Sequence, residues 1–118
     1  MVNLHNRLMY VSSTADHGVV GTDTQLRLVQ RGSRVVGKYT GGSIRRGCLV
    51  GRITDTTLHW RYLQREQSGK LHAGRALCDL IEHADGSIRI IEHFRWQTRD
   101  GSGTNVFDEF PLRRQVDP

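Results

Sequence analysis

The chain has 118 residues, of which 36% are hydrophobic and 25% charged, with a formal net charge of +5. This fits one domain, long enough to bury a core without disulfide staples and ordinary in composition for a soluble globule. A disulfide-dense secreted scaffold is excluded, and the absence of a long apolar run gives no sign of a signal peptide or a membrane span.

Apolar and polar residues alternate with a period of two along the chain, and no segment sustains a long helical stripe. In chain order the predicted strands are Arg7–Ser13, Asp23–Gln30, Arg34–Thr40, Ser43–Ile53, Thr57–Arg65, Leu71–His83, Ser87–Thr98 and Thr104–Phe110. The breaks between them are "TADHGVVGT", "RGS", "GG", "DT", "QSG", "ADG" and "DGSG". Most carry Gly with Asp or Ser, the residues that tight turns require. About eight strands joined by short hairpins make a meander, and closing a meander removes its exposed edges. The expected fold is therefore all-β, a single antiparallel up-and-down barrel over residues 1–118.

The stretch "YTGGSIRRGCLVG", Tyr39 to Gly51, tests that reading. Gly42 and Gly47 have half the spacing of a phosphate-binding loop, but Cys48 and Leu49 stand where lysine and a hydroxyl residue are needed. Gly41-Gly42 is read instead as a two-residue hairpin loop. That loop sets Val36 opposite Gly47 and puts Lys38 and Arg45 on the inward face.

Following the same face onward, "DT" sets Gly51 opposite Trp60 and Leu49 opposite Tyr62, and "QSG" pairs Glu66 with Lys70. Gly74 then falls beside Tyr62 and Trp96, and Ala76 beside Trp60 and Phe94. A loop at "DGSG" sets Phe107 next to Trp96 and Glu109 beside Phe94. Large rings thus oppose small residues, as a narrow barrel interior requires. Glu92 and Glu109 share this face, where a carboxylate must be hydrogen-bonded or paired. They are either structural plugs, with Lys38 or Arg45 as counter-charges, or polar anchors in a ligand pocket.

On the outward face the register lines up Arg61, Arg75 and Arg95, ending at Asp108. Adjacent like charges call for solvent, an anion or an acidic partner. The remaining basic residues are scattered through the sequence, which reads as a solvated surface and speaks against nucleic acid. Cys48 and Cys78 form no CxxC pair, which fits a reduced, cytoplasmic protein, with Cys78 as a small core residue. The histidines have no ligand spacing, so neither metal nor cofactor is expected, and no catalytic motif is present.

Tyr39-Thr40-Gly41-Gly42 with Ile44, Gly47, Leu49 and Gly51, then Arg61-Tyr62, Glu92 and Trp96, resembles a family of short bacterial proteins. Its members often carry the label "N-acetylglutamate synthase", and the resemblance implies a lipocalin- or avidin-like barrel. The residues themselves argue against acetyl transfer. "RVVGKY" and "LHAGRA" are poor versions of the pyrophosphate turn such enzymes use, and both lie in predicted strands.

The function expected is small-molecule binding, with Trp60, Tyr62, Phe94, Trp96 and Phe107 lining the pocket. Glu92 and Glu109 would anchor the ligand, and Lys38 would sit near the mouth. One alternative is an enzyme on the same scaffold with Glu92 or Glu109 as general acid or base. Another is an anion- or partner-binding module built on Arg61, Arg75 and Arg95. No membrane partner is expected, and a homodimer is compatible with the sequence.

Overall fold

The computed structural model describes residues 2–14 and 19–109. Eight strands follow one another: β1 (Arg7–Ser13), β2 (Gln25–Arg31), β3 (Arg34–Gly41), β4 (Ile44–Thr54), β5 (Thr57–Glu66), β6 (Leu71–Glu82), β7 (Ile88–Trp96) and β8 (Ser102–Glu109). Each pairs antiparallel with the next, and β1 pairs with β8 to close the barrel. Strand boundaries fall within two residues of the expected ones. Phe110, and part of the break after β1, lie outside the described residues.

Alternation decides which side chains enter the core. Along β5 and β7 every second residue is buried: Leu58, Trp60 and Tyr62 on one strand, Ile88, Ile90, Glu92, Phe94 and Trp96 on the other. The two ends of the barrel differ. The end holding the β2–β3, β4–β5 and β6–β7 turns is filled by Met9, Leu28, Val35, Ile53, Leu58 and Ile90, and buried Leu4 packs into the same core. Arg7 crosses to Glu109 there, with Nη1 2.7 Å from Oε1, and also donates to the Gly86 carbonyl. The Ile88 amide donates to the same carboxylate. At the opposite end the interior is aromatic and polar.

Three register expectations are corrected. The β3–β4 hairpin turns at Gly42 and Ser43, not at Gly41-Gly42, and Val36 faces Val50 while Tyr39 faces Gly47. An extra residue at Arg45–Arg46 bulges β4, so both arginines point outward. An odd shift of register exchanges the faces of a strand. Lys38 is therefore exposed on the outside, and burial goes to Val35 and Tyr39 instead.

The last hairpin is displaced by an even number of residues, so the inward set survives but moves along the barrel. Phe107 faces Ile90, not Trp96, and Glu109 lies at the apolar end, far from Phe94, which faces Gly103. The turn spans residues 97–101, closed by the Trp96 amide on the Gly101 carbonyl. Within this turn Arg99 folds back over the barrel rim to Glu66 and Trp96. Asp108 consequently meets Arg89, not Arg95, with Nε 2.8 Å from Oδ1. The expected Glu66–Lys70 contact exists only between backbones, since the Glu66 side chain turns inward to Arg99.

Candidate functional site

The aromatic half of the barrel encloses a cavity of about 30 Å³. Trp60, Tyr62, Glu92, Phe94, Trp96 and Phe107, all expected inside, are brought together in its wall. Lys38 and Glu109 are not. The rings meet edge to face: Tyr62 and Trp96 with centroids 5.2 Å apart, Phe94 and Trp96 at 6.1 Å, Trp60 and Phe107 at 6.3 Å. Gly74 opposes both Tyr62 and Trp96, and Ala76 opposes Trp60 and Phe94, so small residues on β6 make the room these rings fill.

Glu92 lies mid-strand, 6% exposed, with no ion-pair partner among the described residues. Trp60 Nε1 donates to its Oε2 at 2.8 Å, and Asn105 Nδ2 donates to Oε1 at 2.9 Å. Burial raises its pKa above the ordinary carboxylate value, and these two donated bonds only partly offset that rise. Asn105 is a partner that sequence reasoning missed. It sits two residues before Phe107 on the same face, but the displaced hairpin hid its pairing with Glu92.

A second chain of bonds runs to the rim. Tyr39 Oη donates to Gln64 Oε1 at 2.9 Å, Gln64 Nε2 donates to Glu66 Oε2 at 3.0 Å, and Arg99 Nη2 reaches that same oxygen at 2.7 Å. Arg99 also stacks 4.7 Å above the centroid of Trp96. Burial works to raise the Glu66 carboxyl, but the bonds from Arg99 and Gln64 outweigh it and hold its pKa below the ordinary value. Continuing the Trp60–Tyr62 alternation would have found Gln64 and Glu66. Nothing periodic points to Arg99, because it belongs to a turn.

One polar group in this wall is unanswered. The Tyr62 hydroxyl is buried and has no hydrogen-bond partner among the described residues. Its ring tip lies against Gly74, so close that a Cβ there would collide with the oxygen. Burial pushes its pKa well up, and the neighbouring Glu92 carboxylate pushes the same way, so at neutral pH it is an intact O–H donor. Among the described residues, no group of three or more His, Cys, Asp or Glu side chains is placed to hold a metal ion.

The outward arginines also take their places. Arg61 faces Arg75 across β5–β6, and Arg75 faces Arg95 across β6–β7.

Residues 2–110 match the model of the family described as "Avidin-like protein". No curated protein and no solved structure gives a significant match.

Proposed function

The chain belongs to the avidin-like protein family, and from that premise we propose that it binds a small organic molecule in the aromatic half of its barrel. The observation that carries the reading is the buried Tyr62 hydroxyl with no partner among the described residues, in the wall of a cavity between aromatic rings. An unanswered buried donor is costly, of the order of 1–3 kcal/mol, and a ligand acceptor relieves it. Glu92, with one donor on each oxygen, keeps lone-pair capacity for a ligand N–H. The ligand class is thus a compact, largely apolar molecule presenting an acceptor to Tyr62 and a donor to Glu92.

The cavity of about 30 Å³ has room for one or two waters. A ligand of several heavy atoms displaces them and pushes the wall outward. Val19 and Val20 are the lining residues that lie outside the strands, so the wall yields there most easily. Glu109, tied to Arg7 at the other end, has no part in the reading. Nor does acetyl transfer: Arg34–Tyr39 and Leu71–Ala76 lie inside β3 and β6, where no helix start exists to receive a pyrophosphate.

Both tryptophans of the chain line the cavity, so their emission reports occupancy. Gently purified protein, weighed intact and then denatured, is expected to lose a bound mass. Tyr62→Phe should lose that mass and the accompanying emission change. Bare protein whose emission stays constant across a broad small-molecule screen would refute the proposal. A second reading, proton transfer by Glu92, is favoured by its raised pKa beside the cavity. It predicts that Glu92→Gln binds but does not turn over.

A further inference from the structure

The outer surface of the barrel separates charge in a way that the scattered positions of the arginines conceal. No Asp or Glu side chain points outward from β2, β3, β4 or β5, whose one acid, Glu66, is buried. Cations oppose cations across every seam of this face. Arg27 faces Lys38, Arg34 faces Arg52, and Arg46 faces Arg65. The row Arg61–Arg75–Arg95 continues the face onto β6 and β7. Among the described residues, none of these side chains has an ion-pair partner. Glu66 is engaged by Arg99, Asp108 by Arg89 and Asp79 by His93, while exposed Asp23 and Asp55 sit in turns at the strand ends and form no ion pair among the described residues.

Like charges set directly opposite one another destabilise a sheet, and here they are repeated across five successive seams. A second copy of the chain docked face to face would double the repulsion. A polyanion removes it. The face is concave in two places, one walled by Arg27, Lys38, Arg46 and Arg65 and the other by Arg34, Arg52, Arg61 and Arg75. Exposed Val36, Val50 and Leu63 lie between the cations, where they can pack against sugar. His59, opposite Arg52, is an exposed ring on this face, but the described tryptophans and phenylalanines are buried, as are Tyr39 and Tyr62. Single-strand binders rely on base stacking against such rings.

We propose that this arginine face binds the phosphate backbone of double-stranded nucleic acid without regard to sequence. The proposal is independent of the interior ligand. On a closed eight-stranded barrel a straight duplex touches only neighbouring strands, and the four without outward acids, β2–β5, at a spacing of about 4.8 Å span about 14 Å. A duplex of that length carries on the order of eight phosphates, about half of them facing the protein. About four neutralised phosphates give a salt slope of about −4, so Kd rises about 100- to 250-fold between 50 and 200 mM salt.

The test is fluorescence anisotropy of the full chain with a labelled 20-base-pair DNA of mixed sequence, read against salt. Competition uses the matching single strand and, separately, polyglutamate at equal charge. The expected result is the steep salt dependence, a weaker single-strand competitor, a far weaker polyglutamate, and a slope reduced by about 2 in Arg34→Gln/Arg52→Gln. Arg46→Gln/Arg65→Gln provides the same reading should the first variant fail to fold. A flat salt response, unchanged binding in the variants, or polyglutamate competing as well as the duplex would each overturn the assignment.

Discussion

Replacing Gly47 by alanine tests how the barrel makes room for its rings. Gly47 stands opposite Tyr39 across β3–β4, and a Cβ built on it would meet three carbons of the Tyr39 ring, the most distant only 2.7 Å away. Carbon atoms in contact sit about 3.5–4.0 Å apart, so the ring must retreat by about an ångström. It has nowhere to go without cost, because Tyr39 is 7% exposed and its hydroxyl is held 2.9 Å from Gln64. Overpacking of this kind costs about 1–3 kcal/mol, and a buried hydroxyl parted from its acceptor adds a similar amount. The expected loss is thus about 3 kcal/mol, within a total of about 5–15 kcal/mol for a domain of this kind, so the variant still folds.

Urea unfolding followed by tryptophan emission measures that loss. The control is the same substitution in a Tyr39→Ala background. With the ring gone, alanine at position 47 should be neutral or stabilising by up to about 1 kcal/mol, since Gly is a poor strand residue. Gly47→Ala within 0.5 kcal/mol of the parent (roughly the scatter of a neutral surface change) would refute the steric argument. An equal loss in both backgrounds would refute it too, by showing that the ring was not the obstacle.

Two further outcomes follow from the cavity. Tyr62→Phe, which removes a buried hydroxyl without a partner among the described residues, should raise the stability of the ligand-free protein by about 1 kcal/mol. A loss of that size in thermal unfolding would mean that the hydroxyl is already bonded. Glu92 has a folded-state pKa raised by burial, so the stability linked to it is complete below the unfolded-state pKa and is lost as pH rises through the folded-state value. Stability in that window should fall by up to about 1.4 kcal/mol per pH unit, and Glu92→Gln should remove the fall. Parallel pH profiles for the two proteins would sink the idea that Glu92 is buried without a counter-charge.

Much of this molecule is legible in the sequence because a strand's side chains alternate with a period of two. That period, with turn residues at regular spacing, determines the strands, the closed meander and the inward placement of Trp60, Tyr62, Glu92, Phe94 and Trp96. Register is legible only where a turn has one natural length. "DT" has one, and the β4–β5 pairing follows from it. "GG" does not, and a bulge at Arg45–Arg46 reversed the face of Lys38.

What only the tertiary structure decided are the contacts between residues distant in the chain. Arg99, in the β7–β8 turn, reaches back to Glu66, and the register of that hairpin puts Glu109 beside Arg7 and Asn105 beside Glu92. The outward row Arg61–Arg75–Arg95 follows from hairpin lengths and is legible in the sequence, whereas Arg34 meets Arg52 only in the shifted β3–β4 register. Local patterning selects the face of each strand. Which face meets which is decided by the balance of burial, charge pairing and turn length over the whole barrel.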